Sequence, residues 1–119
     1  MGVDAKDRAV VEMWNRRMEL VLSHIGRYFQ HTSEIFKTRI KQMPEVAEVA
    51  REATLAQMRM IDGFIARRRF IAGERYTIAD ITAMVALGLG AVVRLTVDLG
   101  LVNLTRWYSE VSARPSARA

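Results

Sequence analysis

The chain has 119 residues, of which 50% are hydrophobic and 26% are charged, as in an ordinary globular domain. This length allows one domain with a real core, and we expect residues 1–119 to form one such domain. Cysteine is absent, which excludes disulfides, thiol catalysis and thiolate metal sites. Because the chain also opens without a secretory signal pattern, we expect a cytoplasmic protein.

The formal net charge is +5, which raises the question of a nucleic-acid partner. The basic residues are spread along the chain, and the one run, Arg67-Arg68-Arg69, lies where we expect a helix to end. Cations there interact favourably with the helix dipole, and no aromatic residues alternate with them to form a stacking platform. The sequence therefore predicts no nucleic-acid partner.

The first helix is predicted from about Asp7 to His31. Asp4 precedes it as an N-cap, and Asp7 follows three residues later, in the spacing of a capping box. Apolar residues recur at three- and four-residue steps and predict one buried stripe. They are Val10, Trp14, Met18, Val21, Ile25 and Tyr28.

The second long helix is predicted to open at Pro44, because proline is favoured at the first helical position. Residues Thr32–Met43 before it are expected to form a loop or a short irregular helix, and Gly73 lies past its end. Its spacing predicts a buried face made of Val46, Val49, Ala53, Met60, Ile61, Phe64 and Ile65.

The third helix, Ile78–Val93, is introduced by Thr77 and Asp80 in the spacing of a capping box, and Asp80 is its one charged residue. Tyr76 and Ile81 are spaced as a hydrophobic staple. An almost wholly apolar helix is expected to be buried, and it is shorter than the ~20 residues of a membrane span, so we predict no membrane association. Gly88 and Gly90 within it are expected to permit close packing of a neighbouring helix.

A fourth helix is predicted from Asn103, as N-cap, to Ser112, before Pro115. Its stripe consists of Leu104, Trp107, Tyr108 and Val111. No segment alternates apolar and polar residues in the manner of a strand. The prediction is therefore an all-α bundle of four main helices.

Four segments, in order, resemble landmarks of the C-terminal helical domain of cytosolic glutathione transferases, in a bacterial and fungal branch of that family. They are residues 11–20, residues 26–32, the stretch from Gly73 through Thr77 and Asp80 to Thr82, and residues 103–116. The family's N-terminal thioredoxin-like domain, which holds glutathione, is not among these residues. Glutathione is the co-substrate of full-length members, and no cofactor is expected on this chain.

The resemblance implies that the helical domain forms the wall of the electrophile pocket, from its first and third helices, and much of the dimer interface, from its first two. It also implies that the thiol-activating residue lies in the other domain. We therefore expect no catalytic residue here, no activity from the chain alone, and a homo-oligomer. The alternative is a stand-alone helical module for protein interaction or oligomerisation.

Candidate binding residues follow from the same resemblance. Glu19, Ser23, Gly26 and Gln30 share one face of the first helix, which becomes the wall opposite glutathione; otherwise it is a solvated face. Arg27 flanks this face, and His31 is a further candidate. Relatives of this branch place a serine and a histidine at the positions of Gly26 and Gln30, so this chain lacks both groups, and Ser23 is the partial substitute.

Two further pairs of residues are interpreted as having no role in catalysis or metal binding. Thr77 and Asp80 are predicted to serve folding as an N-cap box and not chemistry. His24 and His31, the two histidines, are seven residues apart, so about 10 Å separates their Cα atoms along a helix. That distance is too long for a shared metal ion without further ligands, and we predict no metal site.

Overall fold

The computed structural model describes residues 4–118. They form four α-helices: α1 (Ala5–Thr32), α2 (Pro44–Ile65), α3 (Ile78–Val92) and α4 (Val102–Ser112). Short 3-10 helices occupy Glu34–Phe36 and Pro115–Arg118. The described residues contain no strand, and an isolated bridge pairs Phe70 with Gly73. The predicted all-α fold with four main helices is confirmed, and none of the described helices is long and apolar enough to cross a membrane.

Helix α1 packs on α2 along one flank and on α3 along the other. Asp4 caps it as predicted, with its Oδ1 accepting from the Asp7 N–H at 2.7 Å. The predicted stripe is confirmed at its centre, while Val10 and Tyr28 are half-buried at its margins. The buried residues of α1 are Val11, Trp14, Asn15, Met18, Val21 and Ile25.

The predicted buried face of α2 is correct at Ile61 and Ile65, half-buried at Val46 and Ala53, and wrong at the other three positions. Val49 is 67% exposed, and Met60 and Phe64 are exposed by more than a third. The small residues Ala47 and Ala50 face the core and let the α2 backbone approach α1 closely, so the larger hydrophobic side chains point outward. The buried face consists of Ala47, Ala50, Thr54, Met58, Ile61 and Ile65.

Asp80 organises the junction between α3, α4 and the turn before α3. The predicted capping box is present: Thr77 Oγ1 accepts from the Ala79 N–H at 3.3 Å, and Asp80 Oδ2 accepts from the Thr77 N–H at 2.9 Å. The other carboxylate oxygen accepts from the Ile71 N–H and from Trp107 Nε1, at 2.9 and 2.8 Å. The fully buried carboxylate thus accepts from three donors.

Glycine is required at two positions near α3, at Gly90 for a close approach and at Gly73 for its positive φ. A Cβ on Gly90 would lie 2.8 Å from the Leu95 carbonyl oxygen and 3.4 Å from Ile25 Cδ1, so Gly90 is needed mainly for the chain that follows α3 and not, as predicted, for a neighbouring helix. A Cβ on Gly88 would meet only the Tyr108 hydroxyl, at an ordinary 3.7 Å. Gly73, at φ +141°, serves the turn before α3 and not the end of α2, which stops eight residues earlier.

Side chains of α2 and α4 bond to backbone groups at the end of the other helix. The predicted N-cap Asn103 is wrong: α4 begins after Leu101 without a side-chain cap, and Asp62 Oδ1 of α2 accepts from the Leu104 N–H at 2.9 Å. In return, Arg106 Nη2 donates to the carbonyls of Ile65 and Arg68, at 3.1 Å each. The basic run Arg67-Arg68-Arg69 follows α2, yet the cationic side chain that donates to these carbonyls is Arg106 of α4.

Candidate functional site

The polar face of α1 borders α3. Glu19, Ser23 and Gln30 are exposed along it. Asn15, buried beside this face, accepts from Thr82 Oγ1 of α3 at 2.5 Å and donates to Glu19 Oε1 at 3.5 Å. This link fixes the side of the bundle on which Glu19, Ser23 and Gln30 lie.

Helix α3 is not buried all round, contrary to the sequence prediction. Four of its apolar residues are exposed in one stripe opposite its core face: Ile78 (37%), Ile81 (44%), Val85 (53%) and Val92 (77%). At about 100° per residue this stripe lies next to the Thr82 side of the helix, and hence next to the polar face of α1. We call the two together, Glu19, Ser23, Gln30, Ile81 and Val85, the α1–α3 surface.

The structure separates the other two candidate residues from this surface. Arg27 lies about 40° around α1 from Ser23, toward α2, and lines a groove there. His31 Nδ1 accepts from the backbone N–H of Met43 at 3.0 Å, the residue that precedes α2. His31 therefore joins the end of α1 to the start of α2.

A groove of about 360 Å³ runs between α1 and α2. Its floor is apolar, and charged side chains stand at its rim. We call it the α1–α2 groove; it is lined by His24, Arg27, Glu45, Val46, Val49, Ala50 and Ala53. It occupies the flank of α1 that faces away from α3, so the chain presents two separate surfaces.

The described residues of the two surfaces form neither a metal-ligand cluster nor a hydrogen-bonded nucleophile. In the part of the chain that the structure describes, no three His, Asp or Glu side chains cluster as metal ligands. No hydrogen bond there joins the Ser23 hydroxyl to an imidazole or a carboxylate, so nothing activates it as a nucleophile. What these residues can do is line a pocket and pack against a partner.

Sequence reasoning missed the Asn15–Thr82 link, which sets the orientation of the α1–α3 surface. A signal for it was present: Asn15 is a polar residue between Trp14 and Met18 on an otherwise apolar stripe. Buried polar groups require partners, so Asn15 should have been expected to bond a neighbouring helix.

Comparison with known proteins identifies the family of this domain. The family model for the glutathione S-transferase C-terminal domain matches residues 13–115. The chain is 30% identical over 120 residues to glutathione S-transferase 2 of Saccharomyces cerevisiae, an alignment that covers 98% of this chain and 52% of the yeast protein.

Solved structures are similar over the same part. The crystal structure of Gtt2 from Saccharomyces cerevisiae superposes with a TM-score of 0.91 at 29% identity, covering 98% of this chain and 58% of that one. A glutathione S-transferase domain-containing protein of Marinobacter aquaeolei VT8 gives 0.88 at 31% identity, with the same coverage of both chains, 98% and 58%. The chain spans about half the length of the curated relatives it matches, 52% and 56%. It belongs to the glutathione S-transferase C-terminal domain family.

Proposed function

We propose that this chain is the helical half of a glutathione transferase, in which the α1–α3 surface faces a thioredoxin-like half and closes the electrophile pocket. The observation that carries the proposal is the exposed stripe of α3. Ile81 and Val85 are 44% and 53% exposed on a helix whose opposite face is core. Relatives of nearly twice this length supply a further domain that can cover such a stripe.

The physical argument is the burial of apolar area. Each Å² of apolar surface removed from water contributes about 25 cal/mol, so covering a row of Ile and Val side chains favours association. The polar residues Glu19, Ser23 and Gln30 lie beside the row and leave part of the wall hydrophilic, as a pocket that takes both glutathione and an electrophile requires. Gly26 and Gln30 bring neither hydroxyl nor imidazole. Activation of the thiol therefore falls to the other half, and we predict that the isolated chain is inactive.

Because the chain has no cysteine, single cysteine variants report the accessibility of chosen positions. Ile81→Cys is labelled by a maleimide in the chain alone and in a fusion behind the thioredoxin-like half of yeast glutathione S-transferase 2, with mass spectrometry of the labelled peptide. We expect at least tenfold slower labelling in the fusion. Val102→Cys on α4, at a residue that is 67% exposed, is the control and should not change. Equal labelling of Ile81→Cys in both proteins contradicts the proposal.

The α1–α2 groove supports dimerisation within the same proposal. Val49 is 67% exposed at its edge, and Leu20 on α1 is 60% exposed. Large apolar patches of this kind favour association, and the family resemblance assigns the dimer interface to the first two helices. Sedimentation equilibrium should show a dimer that Val49→Glu converts to monomer.

A second candidate function is a stand-alone interaction module, favoured by the same two exposed surfaces. In that case the α3 stripe is itself the contact between copies or with another protein. Ile81→Glu distinguishes the candidates: it should leave the dimer intact if the stripe awaits a thioredoxin-like half, and should dissociate the dimer if the stripe is the module's own interface.

A nucleic-acid partner is not part of the proposal, and the surroundings of the basic run support this. The Arg68 guanidinium lies over the rings of Trp14 and Phe64, at 5.6 and 5.9 Å from their centroids. Arg69 pairs with Glu110 at 3.8 Å. Both cations are thus engaged within the fold. A cytoplasmic location is retained in the proposal as the sequence predicts it.

A further inference from the structure

A second cavity, of about 260 Å³, lies between α3, α4 and the segment that joins them. None of its lining residues belongs to α1 or α2, so it shares no residue with the α1–α3 surface or the α1–α2 groove. The lining consists of Leu87, Ala91, Thr96, Val97, Leu99, Thr105, Tyr108 and Ser109. The proposed function therefore does not explain this cavity.

The chemistry of the walls selects a neutral, mainly apolar ligand. Aliphatic side chains make the apolar part, and the residues with polar side chains in the lining are Thr96, Thr105, Tyr108 and Ser109. No charged side chain lines the cavity. The lining offers a charged ligand no opposite charge in exchange for the hydration that it gives up at the apolar walls, which favours a neutral ligand.

Thr105 supplies an independent indication of a ligand. Its Oγ1 is buried and has no hydrogen-bond partner, and it is the one such side-chain atom in the described residues. Buried hydroxyls are almost always paired, so this one requires an explanation. Threonine in a helix populates two χ1 rotamers, and a rotation of about 120° about χ1 moves the hydroxyl to the position of the methyl group. The Thr105 hydroxyl can therefore form a hydrogen bond with a molecule in the cavity without breaking any hydrogen bond of the folded chain.

We propose that this cavity binds small, neutral, mainly apolar molecules that carry one hydroxyl group, with Thr105 exchanging a hydrogen bond with that hydroxyl. The volume sets the size: a dry apolar cavity of roughly 150 Å³ accommodates benzene, so about 260 Å³ corresponds to roughly ten non-hydrogen atoms. A para-alkyl phenol with a three-carbon chain has this size and this single polar group.

The test is a titration of the isotope-labelled chain with 4-propylphenol, followed by amide chemical shifts. Shifts should concentrate at residues 87–109, with a dissociation constant on the order of 1 mM, as suits a ligand of this size. Thr105→Val keeps the shape and removes the hydroxyl, and should weaken 4-propylphenol about fivefold while leaving propylbenzene unchanged.

A cavity-filling pair locates the site. Ala91→Leu adds three carbons to a lining residue and should abolish the shifts, whereas Ala53→Leu in the α1–α2 groove should leave them intact. The proposal is overturned if the shifts map to the α1–α2 groove, if none occur, or if Thr105→Val binds both probes as the parent chain does. The last result would mean that the hydroxyl finds its partner within the chain.

Discussion

Replacing Asp80 with asparagine tests the junction on which the helical bundle depends. Asparagine has the shape of aspartate, but one of its two polar atoms is an NH₂ donor. If the amide oxygen keeps the position of Oδ1, the bonds from the Ile71 N–H and Trp107 Nε1 survive, and the NH₂ then faces the Thr77 N–H. Two donors would be opposed in a site where Asp80 is completely buried.

The magnitude follows from the bonds lost. One hydrogen bond to a charged group contributes about 1.5–3 kcal/mol, and the two that remain weaken when the acceptor becomes neutral. We expect Asp80→Asn to lower the free energy of unfolding by about 3 kcal/mol. For a chain of this length that corresponds to a fall in melting temperature of about 12 °C. It is a large part of the 5–15 kcal/mol that typically stabilises a domain.

The measurement is urea unfolding followed by circular dichroism, with the midpoint compared at constant slope. Glu48→Gln is the matched control, because Glu48 makes an exposed ion pair with Arg51 at 3.4 Å. That substitution should change the free energy by less than about 0.5 kcal/mol. A loss below about 1 kcal/mol for Asp80→Asn would refute the assignment of the three bonds as the centre of the junction.

Five further substitutions, in three tests, probe the packing and the helix ends by the same urea assay. Gly90→Ala places a Cβ against a backbone carbonyl and should cost about 2 kcal/mol, whereas Gly88→Ala should stabilise by about 0.5 kcal/mol; equal effects would contradict the packing role. Asp62→Ala should cost about 1 kcal/mol and Asn103→Ala almost nothing, and the reverse order would restore the sequence-predicted cap. Arg106→Met should cost about 1–2 kcal/mol, and no change would mean that the free carbonyls of α2 need no side-chain donor.

The sequence predicted the elements that local rules control. Asp4, Pro44 and the box of Thr77 and Asp80 each mark a helix start by a bond or a fixed dihedral within four residues, and the structure has all three starts there. One of the four segments that carry the family resemblance, from Gly73 to Thr82, contains such a start.

Tertiary choices could not be predicted in this way. The buried face of α2 was misassigned because close approach through Ala47 and Ala50 outweighed the size of Val49. The true cap of α4 comes from Asp62, more than forty residues before it in the chain. The exposed stripe of α3, which we propose meets a thioredoxin-like half, is as apolar as the core face, and no periodicity within one helix distinguishes the two.

In the candidate site, too, the local helical spacing could be predicted and the tertiary packing could not. Helical spacing placed Glu19, Ser23 and Gln30 on one face, which the structure keeps together. Arg27 and His31 are close to that face in the sequence. In the fold, Arg27 lines the α1–α2 groove, and the His31 imidazole accepts from the Met43 N–H at the start of α2. Whether these residues contact a ligand stays a prediction.

The central claim is that this chain is one half of a transferase. The most direct measurement is glutathione conjugation to 1-chloro-2,4-dinitrobenzene by the chain alone and by its fusion to the thioredoxin-like half of yeast glutathione S-transferase 2, after circular dichroism has shown both to be folded. We predict that the isolated chain does not exceed the uncatalysed rate and that the fusion turns over. Turnover by the isolated chain, or a folded fusion without activity, would contradict the account.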